Sequence, residues 1–109
     1  MSKTKSVAKK AGGNVFADLG VPDPDTHLIK AQLVSRVRDI VQERKLTQAR
    51  AADLMGVSQP DVSRMFRGQF RDLSVERLMV LLTRLGCEVD IVVKPNKKRA
   101  FAAIHLDAA

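Results

Sequence analysis

Cys87, His27 and His105 are the side chains best equipped for nucleophilic or metal chemistry, and their spacing gives them no partners. A thiol or imidazole becomes a nucleophile or a ligand set only beside an activating base or further ligands. The two histidines stand apart, no Cys/His cluster forms, and no phosphate-cradling loop is present. The sequence therefore predicts no metal, no cofactor and no enzyme activity. A single cysteine also precludes an internal disulfide, which fits a reducing cytoplasm. Set on an apolar strand face, Cys87 is expected to be buried rather than reactive. What the chain holds in quantity is positive charge: 19 Lys and Arg against 12 Asp and Glu, a net charge of +7. Such a surface attracts polyanions, whether nucleic acid, anionic membrane or an acidic protein. The excess is +5 over residues 27–86 and +1 on each flank. That distribution favours a charged binding face on the folded part over a basic tail.

A binding face needs elements to hold it. The 109 residues suffice for one domain. At 45% hydrophobic, with 4 Phe and no Trp or Tyr, its core must be mostly aliphatic, as suits a compact helical domain. No run of 18 apolar residues is present to span a membrane, and no apolar stretch follows the basic N-terminus to make a signal peptide.

Residues 1–26 read as a flexible basic segment. Its Lys-rich start, 1–13, is expected to be disordered. Asn14–Gly20 adds a short apolar patch with one possible helical turn, and Val21-Pro22-Asp23-Pro24 breaks the chain. A first long helix starts near Asp23–Thr26, with Asp23 able to cap and Pro24 suited to the first turn. Its apolar stripe is Ile29, Leu33, Val37, Ile40 and Val41, and it ends near Arg44. Arg36, Arg38 and Arg44 read as an ordinary solvated face. Thr47 caps a short helix that Gly56 stops. Ser58 caps the next, with Asp61 three residues on completing a capping box, and Gly68 ends it. Ser74 caps a further helix bearing Val75, Leu78, Met79, Leu81, Leu82 and Leu85, and Gly86 ends that one. The period then becomes two-fold. Cys87–Lys94 alternates apolar and charged residues apart from Val92, a half-buried strand over 87–95 that could serve dimerisation. Residues 96–109 form a basic, Ala-rich tail.

The two short helices around Gly56-Val57-Ser58 carry the most specific signal. Ala52 is small where two helices would cross. Gly56, four residues on, accepts a positive φ in the turn. Val57 plugs that turn into the core, and Val62 and Met65, five and eight residues later, face inward. These five constraints together define a helix-turn-helix, set within the helices of residues 27–86.

The run Thr47–Met65, TQARAADLMGVSQPDVSRM, resembles the Cro/XRE repressor family. The layout of Asn14–Gly20 before the domain and Cys87–Lys94 after it is similar to HigA-type antitoxins, encoded beside RelE-like toxins. The resemblance implies a mainly α fold: a four- to five-helix bundle of the Cro/lambda-repressor type, followed by the short β-strand. It also implies contacts to double-stranded DNA in the major groove. Thr47 and Gln48 would begin the helix that meets the phosphate backbone. Gln59 would take the leading base-reading position, with Pro60 in the same turn and Ser63 and Arg64 one turn further. Ser58 and Arg67 would sit at phosphates. Gln can pair with adenine and Arg with guanine N7 and O6. Pro60 and Asp61 depart from the polar or basic residues of many relatives, and Asp61, turned back by the capping box, is not assigned to DNA.

The function implied is a sequence-specific repressor, acting as a homodimer. The narrower likeness makes it the antitoxin of a toxin–antitoxin pair that autoregulates its operon. A stand-alone Cro-like repressor and a basic domain that binds nucleic acid without preference are the alternatives. Val15, Phe16 and Leu19 are the expected contacts to a RelE-like toxin; folding back onto the first long helix is the competing fate of that patch.

Overall fold

The apolar stripe of the first long helix becomes the spine on which everything else packs. The computed structural model describes residues 14–20, 23–98 and 102–107. The Lys-rich start, Val21, Pro22, and residues 99–101 and 108–109 lie outside them. Among the described residues there are five helices: α1 Val15–Asp18, α2 Pro24–Glu43, α3 Gln48–Met55, α4 Gln59–Phe66 and α5 Val75–Arg84. Along α2, Ile29, Leu33, Val34, Val37, Ile40 and Val41 are buried. The apolar face of α5, through Leu78, Leu81 and Leu82, lies against them. Helices α3 and α4 pack on each other and close the remaining side with Ala51, Ala52, Met55, Val62 and Met65. Val37, Met55, Val62, Met65, Leu78 and Leu81 are fully enclosed. Phe70, from the loop between α4 and α5, is buried with them.

Side-chain caps start the short helices where the sequence places them. Thr47 Oγ1 accepts from Arg50 N–H at 3.0 Å, and Ser74 Oγ from Arg77 N–H at 2.9 Å. Asp23 differs from expectation. It holds the N-cap position of α2 in a left-handed conformation, with no side-chain cap bond. Asn14 instead ties this junction: its Nδ2 donates to Pro24 O at 2.6 Å and to Asp25 Oδ1 at 3.2 Å.

The C-terminal segment also differs. Residues 87–96 carry no regular secondary structure, and no strand occurs among the described residues. A strand is made by its ladder, and among the described residues this segment has no mate. Cys87 and Val89 pack partly against the core, while Ile91, Val92 and Val93 are exposed. No helix of the described residues is long and apolar enough to cross a membrane.

Candidate nucleic-acid interface

The turn between α3 and α4 is fixed by a hydrogen-bond pattern that needs a left-handed residue. Gly56 has φ +73°. Its N–H donates to Asp53 O at 3.3 Å, and Val57 N–H to Ala52 O at 3.0 Å, the paired bonds of a Schellman helix end. Val57 then lies against the core. Ala52, Val62 and Met65 are buried as the spacing requires. The turn aims the start of α4 outward.

At that start the capping box is formed in both directions. Ser58 Oγ accepts from Asp61 N–H at 3.2 Å, and Asp61 Oδ2 accepts from Ser58 N–H at 3.4 Å. The other carboxylate oxygen, Oδ1, accepts from Arg64 Nη2 across one helical turn. Hydrogen bonds from Ser58, with the Arg64 charge behind them, hold the Asp61 carboxyl below its ordinary value. Asp61 is therefore ionised at neutral pH and engaged with its own helix.

Gln48, Gln59, Pro60, Ser63, Arg64 and Arg67 line one open depression of about 380 Å³ across α3 and α4. Six of the eight DNA contacts implied by the sequence thus meet at one place. Thr47 and Ser58, the other two, are exposed at the N-caps of α3 and α4, their side-chain oxygens occupied by cap bonds. Gln59, Pro60, Arg64 and Arg67 are exposed, and Gln48 and Ser63 half-buried. Apart from Pro60, the lining offers amide, hydroxyl and guanidinium groups, the donors and acceptors that base edges and phosphates require. Among the described residues no group of three His, Cys, Asp or Glu is placed to hold a metal ion.

The chain matches the helix-turn-helix domain family over residues 15–94. A solved structure assigned to the XRE family of transcriptional regulators is similar at 36% identity and a TM-score of 0.75, covering 81% of this chain and 100% of that one. The chain belongs to the helix-turn-helix family, of XRE type. No curated protein matches it.

Within this helix-turn-helix domain, sequence reasoning missed the side chains that steady α3, α4 and α5. Arg38 reaches from α2, donates to Phe66 O at the end of α4, and sits 5.1 Å from the Phe66 ring centre. Arg84 Nη1 donates to Met55 O at the end of α3 at 3.4 Å. Arg44 Nη1 donates to Leu85 O, just past α5, at 3.0 Å. Each guanidinium meets the negative end of another helix. Two of these, Arg38 and Arg44, had read as solvated face. In the sequence, Arg38 differs from a surface arginine only in standing next to Val37 of the apolar stripe.

The N-terminal patch divides. The Phe16 ring stands edge-on to His27 with centroids 4.5 Å apart, and His27 stacks on Phe70 at 4.9 Å. Phe16 is thus folded back onto α2, whereas Leu19 is 71% exposed and Val15 also faces outward.

Proposed function

We propose that the protein is a sequence-specific transcriptional regulator that reads the major groove of double-stranded DNA with α4. One observation carries this: Gln48 from α3, Gln59, Ser63 and Arg64 from α4, and Arg67 at its C-cap line one open depression along α4. An eight-residue helix is about 12 Å long, comparable to the width of the major groove. Gln59 and Arg64 read base edges, with Ser63 between them and Pro60 packing in the same turn. Thr47, Gln48, Ser58 and Arg67 meet phosphates. The protein acts as a homodimer joined through residues 87–94, setting two α4 helices one DNA turn, about 34 Å, apart. One copy alone covers too little DNA for strong selectivity. Selection from a random duplex library tests the reading. The expected result is two related half-sites about 10 base pairs apart, bound at least about 10³-fold tighter than scrambled duplex at the same salt concentration. Binding that follows salt alone, with no preferred sequence, would make the chain a general nucleic-acid binder instead.

A second reading adds to the first. The outward Val15 and Leu19 on α1 favour a protein partner, and the likeness of the layout to HigA-type antitoxins favours a RelE-like toxin in that place, with the operon autoregulated by the pair. Leu19→Asp combined with Val15→Asp leaves Phe16 docked on His27. The double variant is expected to lose neutralisation of a toxin encoded by the adjacent reading frame while keeping operator binding. Unchanged rescue of growth would refute the partner role of α1.

A further inference from the structure

We infer that residues 88–94 form an antiparallel ladder with the same residues of a second copy of this chain, in the register that puts Ile91 on the two-fold axis. This rests on the homodimer reading above and specifies its interface.

Odd-numbered residues of an extended segment share one side. Along that side, Cys87 and Val89 are half-buried against the helical core, whereas Ile91 is 76% exposed and Val93 92%. One apolar face therefore begins in the core and ends in water. An antiparallel second copy corrects this, because it lays the exposed end of each segment beside the half-buried start of the other. With Ile91 on the axis, it faces the partner's Ile91, and Val93 falls opposite the partner's Val89. On the other side Glu88 comes opposite the partner's Lys94, and Lys94 opposite the partner's Glu88, giving two cross-strand ion pairs. Asp90 lies beside the partner's Val92.

Neighbouring registers lose these matches. A shift of one residue sets the apolar side of one copy against the charged side of the other. Centring on Asp90 puts two like charges face to face. Centring on Val92 draws Pro95, which has no N–H, into the ladder opposite Val89. The Ile91 register keeps Pro95 outside the seven paired residues and gives the backbone groups on their inner edge partners.

Disulfide trapping in the full chain tests the register. Residues directly opposite in an antiparallel pair have Cα atoms about 4.5–5.5 Å apart, within disulfide reach. Position 93 would lie about 13 Å from its own mate, and Cys87 about 26 Å from its own. In a Cys87→Ala background, Ile91→Cys is expected to oxidise to a covalent dimer while Val93→Cys does not, and the wild-type chain should not cross-link through Cys87. Both positions are exposed, so the substitutions leave the helical core intact. Glu88→Lys and Lys94→Glu should each weaken dimerisation about tenfold, and the double exchange should restore it. Cross-linking at 93 as readily as at 91, or a double exchange no better than the single ones, would overturn the register. A chain that prefers one duplex yet sediments as a monomer would overturn it and leave the regulator reading standing. A covalent dimer through position 91 with no preferred duplex would do the reverse.

Discussion

Asp61 and Arg64 set the chemistry of the exposed turn of α4. An acid at the start of a DNA-reading helix repels phosphate, and here it is bound by Ser58 N–H and by the Arg64 guanidinium. The same contact keeps Arg64 turned toward its own helix. Asp61→Asn keeps an acceptor for Ser58 but removes the charge and frees Arg64. The variant is expected to bind random duplex more tightly, by about 1 kcal/mol, and to discriminate less between selected and scrambled sites. Unchanged affinity for random duplex would remove Asp61 from the account. His27 lies between the rings of Phe16 and Phe70. Burial lowers its pKa from the ordinary 6.5, helped by the positive charges of Arg71 and Lys30. A lowered value in the folded chain means the neutral ring is favoured there. The stabilisation is complete above 6.5 and fades as pH falls through the lowered folded value. Thermal melts from pH 7 down to 5 should show the wild-type chain losing more stability than His27→Phe. Parallel curves would show that protonation of His27 is not felt by the fold.

The helices share one way of ending, and it accounts for both what the sequence showed and what it hid. The N–H of Leu46, Val57, Gln69 and Cys87 each donates five residues back, at 2.9–3.0 Å, closing α2, α3, α4 and α5. The left-handed position is Gly56, Gly68 and Gly86 in three of them and Lys45, at φ +54°, after α2. Lys45→Gly is therefore expected to stabilise the domain by about 1 kcal/mol. Gly56→Ala should destabilise it by about 1–2 kcal/mol, since its new Cβ would also stand 2.5 Å from Arg84 Nη1 and push that guanidinium off Met55 O. Equal melting temperatures for all three chains would show that these ends tolerate any residue. The three short helices α3, α4 and α5 were legible because Thr47, Ser58 and Ser74 open them and Gly56, Gly68 and Gly86 close them, and α2 because its apolar stripe has one clear period. The ending of α2 was visible only as a lapse of that period near Arg44. The roles of Arg38, Arg44 and Arg84 were hidden, because each depends on the carbonyl of a helix distant in sequence. Phe70 and His27 were hidden for the same reason: an aromatic in a loop acquires its neighbours only in three dimensions. Residues 87–94 show the converse, a two-fold pattern without a ladder in one chain.

At the scale of the whole molecule, a helical core built on α2 holds two short helices so that their polar residues converge on one outward face. The residues of that face were legible through the helix-turn-helix spacing: Ala52, Gly56 and Val57 fix the turn, and the turn decides which side of α4 points out. Outside that face the exposed large apolar side chains are Val15, Leu19, Val80, Ile91, Val92, Val93 and Ile104 among the described residues. Base reading by α4, as distinct from mere neutralisation of phosphates, is tested by the affinity of wild-type and Arg64→Ala chains for a selected duplex and for a scrambled one, at a single salt concentration. Arg64→Ala is expected to lose about 1–3 kcal/mol on the selected duplex, with relaxed preference at one base position, and little on the scrambled one. Equal losses on the two duplexes would make Arg64 a phosphate contact and contradict base reading by α4.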